Sequence, residues 1–64
     1  MTALSEGQMA VFKGVIKGHT NRVIAQSLGV AEKTVKAHIT AILKKRRCKS
    51  RCELIVAHYT GARS

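Results

Sequence analysis

The chain has no proline and no tryptophan, and among its 64 residues only one phenylalanine, one tyrosine, two cysteines and three acids. Each shortage excludes something. With so few aromatics and no strand pattern, there is no platform on which the bases of a single nucleic-acid strand could stack. Cys48 and Cys52 are four apart, neighbours if one helix runs through both. No second pair completes a zinc site, and His38 and His58 are not at finger spacing, so we expect reduced thiols, no metal and no cofactor. No apolar run approaches the ~20 residues of a membrane span. The opening "MTALSEGQM" lacks the charged and apolar regions of a signal peptide, so the expectation is a soluble, cytoplasmic protein with no membrane partner. The acids also argue against an enzyme. Glu6, Glu32 and Glu53 each fall in the first turn of a predicted helix, where the dipole and free N–H groups stabilise a carboxylate. None is left to pair as general acid and base. A chain this short buries only about 60% of its unfolded surface, which leaves little room for a pocket that shifts pKa values and excludes water.

Positive charge is what the chain has in excess. Twelve Lys and Arg against three acids give a net charge of +9, and six of the eight residues from Lys44 to Arg51 are basic. Such a field implies a polyanionic partner, either nucleic acid or an anionic membrane surface.

Glycines and small polar residues punctuate the chain into four helices, and 1–64 reads as a single domain. Ser5 with Gln8 is a capping box, with Leu4 and Met9 placed to staple it from outside. Val11, Phe12, Val15 and Ile16 follow at helical spacing, and Gly18 stands where a left-handed C-terminal glycine belongs. Thr20 restarts the chain as an N-cap, Ile24, Ala25 and Leu28 supply an apolar face, and Gly29 ends it. Val35, Ile39, Ile42 and Leu43 form the stripe of a third helix over about residues 32–45. Ser50 with Glu53 reads as another capping box, opening a last short helix with Leu54, Ile55, Val56 and Tyr59 before Gly61. Only "LIV" at 54–56 is β-prone, and it lies behind a helix cap. The fold class is all-α, with no sheet.

Two helices joined by a short turn containing glycine make a helix-turn-helix, whose second helix can lie in the major groove of duplex DNA. "IAQSLGVAEKTV" fits that arrangement. Ala25 is small where the helices approach, Gly29 makes the turn, and Val30 and Val35 are expected to plug the corner. A membrane-surface helix is the rival reading of the basic, amphipathic third helix. The chain carries two further apolar faces that need a partner, which favours helix packing on helix.

The pieces "LS" at 4–5, "G-x-TN" at 18–21, "IA-x-x-LGV" at 24–30, "TVKAH" at 34–38, "IL-x-K" at 42–45 and "SR-x-E" at 50–53, in that order, resemble the LuxR-type helix-turn-helix domain of the FixJ, NarL and GerE relatives. The resemblance covers Leu4 to about Val56. It implies a three-helical core, winged-helix-like, plus a short C-terminal helix, and transcription regulation through duplex DNA. It further implies that the third helix enters the major groove and the fourth forms a dimer contact. Lys36, Ala37 and Thr40 then occupy base-facing positions. The phosphate candidates are Thr20, Asn21, Lys33, Thr34, His38, Lys44, Lys45 and Arg51. Leu54 is expected to face the core while Ile55, Val56 and Tyr59 make a weak two-fold contact, so that the domain pairs on DNA. Domains of this kind usually follow a receiver or sensing domain, as effector domains of response regulators, though some stand alone. Any contact with RNA polymerase stays open. The alternative is a non-specific basic module for nucleic acid or an anionic membrane surface.

Five positions depart from the resemblance. Gln8 and Val23 stand where an acid is usual, so Val23 cannot close a capping box back to Thr20. Ala31 stands where Ser or Thr usually caps the recognition helix, a loss of ~1 kcal/mol. Arg46 and Arg47 replace a Leu followed by Gly or Asn. Arg46 lies one turn beyond Ile42, on the inward side. Either it snorkels outward along its methylene stem or the helix ends before it.

Overall fold

The computed structural model describes residues 3–61. Four helices run in the order α1 (Glu6–Ile16), α2 (Asn21–Leu28), α3 (Glu32–Arg46) and α4 (Arg51–Thr60), with no strand among the described residues. Met1, Thr2 and residues 62–64, part of the single-domain reading, lie outside the described residues.

Local cap chemistry sets where each helix begins. Ser5 accepts from the Gln8 N–H (3.2 Å), while the Gln8 side chain accepts from the Ser5 N–H (3.1 Å), a closed capping box. Thr20 accepts from the Val23 N–H (3.2 Å), and Val23 has nothing to return, so α2 is capped from one side only. Ala31 caps α3 with backbone alone. At α4 the expected box is altered. Ser50 accepts from the Glu53 N–H (3.1 Å), but Glu53 reaches past its N-cap to accept from the Lys49 N–H (3.2 Å).

The helix ends show a contrast. After α1 and α2 the left-handed positions are glycines, Gly18 (φ 83°) and Gly29 (φ 70°). After α3 the same conformation falls on Arg47 (φ 56°), which carries a side chain into a region costing roughly 1 kcal/mol or more. The Arg47 N–H donates to the Lys44 carbonyl (3.3 Å) and the Cys48 N–H to that of Leu43 (2.9 Å), the two bonds of a Schellman end. The helix therefore runs through Arg46 and does not stop short of it. It also stops before Cys48. Cys48 is buried in the connection and Cys52 is exposed on α4, so the two thiols do not share a helix.

The core draws on all four helices and the last connection: Val11 and Val15 from α1, Ile24 and Ala25 from α2, Val35, Ile39 and Ile42 from α3, then Cys48 and Leu54. Phe12, Leu43 and Ile55 pack partly against it. Two expected core residues do not join. Leu28 and Val30 are each 40% exposed, because α1 meets α2 around Ile24 and leaves the turn at its rim. Val35 alone closes the corner. The tight approach is instead at Gly14, where a Cβ would lie 2.7 Å from Ile24 Cγ1.

Candidate nucleic-acid interface

Three buried residues, Val35, Ile39 and Ile42, fix which side of α3 turns inward. At 100° per residue the opposite side carries Lys33, Ala37, Thr40 and Lys44, with Lys36 on one shoulder. All five are exposed. The helix has 15 residues, about 22 Å at 1.5 Å each, enough to lie along a major groove about 12 Å wide. On this face, the one intramolecular side-chain hydrogen bond among the described residues is from the Thr40 hydroxyl to the Lys36 carbonyl (3.1 Å). That bond uses the hydroxyl hydrogen, leaving the methyl group and the oxygen lone pairs of Thr40 for a partner. The face thus presents long cationic donors around short, uncharged centres.

Thr34, His38 and Lys45 belong to the other shoulder and are half-buried. His38 turns towards the start of α1, where a Cβ on Gly7 would lie 3.5 Å from two of its ring atoms. The Lys45 ammonium donates to Gln8 Oε1 (2.6 Å) and to the Ala3 carbonyl (3.3 Å). Gln8 therefore does two things at once: it completes the α1 cap and it receives the end of α3. Lys45, a phosphate candidate by its place in the sequence, is thus also tied to α1. A side chain on the flank of the stripe, one turn from Ile42, has α1 within reach.

Arg51 is engaged in the same way. Its guanidinium donates to Asn21 Oδ1 and to the His19 carbonyl, joining the start of α4 to the start of α2. Asn21 and Arg51 were expected separately, and the fold brings them together beside Thr20. Arg46 stays inside, half-buried, with its guanidinium carbon 6.0 Å from the centroid of Phe12. Of the expected pairing residues, Val56 is 59% and Tyr59 68% exposed, while Ile55 turns partly into the core. The Tyr59 hydroxyl donates to the Ile16 carbonyl (2.8 Å), so its ring is held in place although it faces outward. Leu54 is buried, as the sequence indicates.

Arg22, Arg47 and Lys49 are not among the DNA-contact candidates read from the sequence. All three are exposed, and Arg22 lies in the first turn of α2 close to Thr20 and Asn21. The spacing of Arg22 from the α2 cap could have placed it.

A four-helix unit with this turn and this cationic face has counterparts. A family described as GerE, bacterial regulatory proteins of the luxR family, matches residues 2–58. The chain belongs to that family. Its helix-turn-helix is accordingly of the DNA-binding, transcription-regulating kind, and it is not an enzyme. Among curated luxR-like relatives, the glycerol metabolism activator of Pseudomonas putida is 40% identical over 57 residues, 89% of this chain and 26% of that protein. The transcriptional regulatory protein YdfI of Bacillus subtilis is 41% identical over 54 residues, 84% of this chain and 25% of the relative. The nitrate/nitrite response regulator protein NarL of Escherichia coli K12 is 38% identical over 53 residues, 83% and 24% respectively. The chain thus spans about a quarter of the length of these luxR-like relatives. Among the described residues, no helix is long and apolar enough to cross a membrane.

Proposed function

We propose that this domain binds duplex DNA sequence-specifically to regulate transcription, with α3 in the major groove and two copies pairing through α4 on adjacent half-sites. The observation that carries the reading is the outer face of α3: Lys33, Lys36 and Lys44 exposed around Ala37 and Thr40, with the opposite side committed to the core. Lys36 donates to guanine O6 or N7, and the methyl groups of Ala37 and Thr40 meet a thymine methyl. Thr20, Asn21, Lys33, Thr34, His38, Lys44, Lys45 and Arg51 are the phosphate set. Lys33 and Lys44 act there as free cations. Arg51 and Lys45 act from anchored positions, Arg51 by presenting the α2 N-terminus that carries Thr20 and Asn21. Val56 and Tyr59, with the exposed part of Ile55, form the two-fold contact. It is weak in isolation and effective on DNA, where tethering raises the local concentration. Since one relative is a response regulator by name, we further propose that the domain is a cytoplasmic effector domain of that class or of a related transcription factor.

Selection from random duplexes, followed by titration of the selected site, tests this. Binding should favour that site over random duplex, single-stranded RNA and anionic vesicles. For ~5 phosphate contacts the slope of log K against log salt should be about −4 to −5. On an inverted repeat a second protomer should follow the first. Equal binding to every duplex would leave a non-specific basic module, and tighter binding to vesicles a membrane-surface one.

A further inference from the structure

Beneath α4, on the side of the molecule away from the outer face of α3, lies a half-open cavity of about 190 Å³. Phe12, Arg46, Cys48, Leu54, Ala57 and His58 line it. Its walls are largely apolar: Leu54 and Cys48 are buried, and the Phe12 and His58 rings meet edge to face, 5.4 Å apart at 81°. Arg46 brings the charge. It follows Ile39 and Ile42 at helical spacing, so its stem enters on the inward side of α3, where a leucine would complete the stripe. Its guanidinium lies over the Phe12 ring, and its Nε is buried without a hydrogen-bond partner among the described residues. Among the described residues, none of those lining the cavity carries a carboxylate. A buried N–H without an acceptor is disfavoured, and a charged one more so.

From this cavity we infer a binding site for a small organic carboxylate with an apolar, ring-sized body. The two terminal nitrogens of the guanidinium offer parallel N–H donors that match the two oxygens of a carboxylate side by side, a geometry an ammonium cannot offer. The volume fits the rest of such a molecule. An apolar cavity of about 150 Å³ takes up benzene, so the larger space here accommodates a ring together with its carboxylate. A water molecule would pair with the guanidinium but would leave the apolar walls uncovered. Phosphate or sulfate would meet Arg46 and then face Leu54, Ala57 and Phe12 with unpaired oxygens. The site joins the end of α3 to α4 and shares no residue with the proposed DNA-reading face, so it stands or falls independently of that reading.

The test is an amide NMR titration of the whole chain, without DNA and at constant ionic strength, using sodium benzoate, benzyl alcohol and sodium acetate as probes. Benzyl alcohol keeps the ring without the charge, and acetate keeps the charge without the ring. Benzoate should saturate with a dissociation constant on the order of 1 mM, as befits so small a ligand. Its shifts should be confined to residues around Phe12, Cys48, Leu54, Ala57 and His58, and it should bind about tenfold more tightly than either of the other two. Arg46→Met keeps a stem of similar length and should abolish the preference of benzoate over benzyl alcohol. Ala57→Leu, which fills the cavity and leaves Arg46 in place, should weaken benzoate and benzyl alcohol alike; it also serves as the test should Arg46→Met not fold. Unsaturable shifts spread over Lys33, Lys36 and Lys44, equal binding of acetate, or undiminished benzoate binding by Ala57→Leu would each overturn the proposal.

Discussion

The outer face of α3 and the segment from Lys45 to Arg51 are both basic, yet they hold their charge in opposite ways. On α3, Lys33, Lys36 and Lys44 are exposed, and among the described residues none makes a side-chain hydrogen bond to another part of the fold. In the segment, Lys45 is bound to Gln8 and Ala3, Arg46 lies against Phe12, and Arg51 holds Asn21 and His19, which leaves Arg47 and Lys49 exposed. The denser run of cations is thus the less available one. The physical reason is position. Side chains leaving the end of α3 on its inner side and flank reach α1: the Lys45 head finds carbonyl oxygens there, and Arg46 lies against Phe12. Clustered charge in a short domain measures how many long side chains must be placed, as well as how strongly a polyanion is attracted.

The comparison can be broken at several points. Arg51→Ala should have the largest effect on the fold. It removes charge-assisted bonds between α4 and α2, and we expect a loss of roughly 2 kcal/mol in urea unfolding, with the melting temperature down by about 10 °C. An unchanged melt would return Arg51 to the class of free cations. Lys36→Ala should do the reverse, leaving the melt alone and costing roughly 1–3 kcal/mol on the selected duplex but little on random DNA. Equal losses on both duplexes would make Lys36 a phosphate contact.

The neighbours Lys44 and Lys45 divide the two regions most sharply. Lys44→Ala should weaken both duplexes by a similar factor and flatten the salt slope by about one unit at constant stability. Lys45→Ala should lower stability by about 1 kcal/mol through the lost link to Gln8, since a partly exposed pair contributes modestly. Identical behaviour of the two variants in melts would erase the distinction. The smallest effects lie at the helix ends. Ala31→Ser supplies the missing N-cap, whose backbone is already extended (φ −75°, ψ 151°), and should raise stability by ~0.5–1 kcal/mol. Arg47→Gly should raise it by a similar amount by relieving the left-handed residue, and should cost little DNA affinity.

Much of the fold was legible in the sequence because cap chemistry and apolar spacing are local. Ser5 with Gln8, Thr20, Gly18, Gly29 and Gly61 mark helix ends that the structure reproduces, and the stripe of Val35, Ile39 and Ile42 turns inward as its period requires. What escaped was set by contacts between elements. Gly14 resembles any helical glycine until Ile24 of another helix lies against it. Leu28 and Val30 carry an apolar pattern, but the packing leaves them at the rim, each 40% exposed. Glu53 caps one residue earlier than the box pattern, a difference set by the course of the chain through Cys48 and Lys49.

By itself, the sequence determined four helices, a short turn at Gly29, a cationic chain and its family, because periodicity, caps and motif order are written along the backbone. Only the tertiary structure decided which cations are free. Lys45 meets Gln8 across 37 positions and Arg51 meets Asn21 across 30, distances over which spacing along the chain carries no information. The same packing left the Arg46 Nε buried with no acceptor among the described residues, since the arginine occupies a place on the inner stripe that its guanidinium cannot fill as a leucine would.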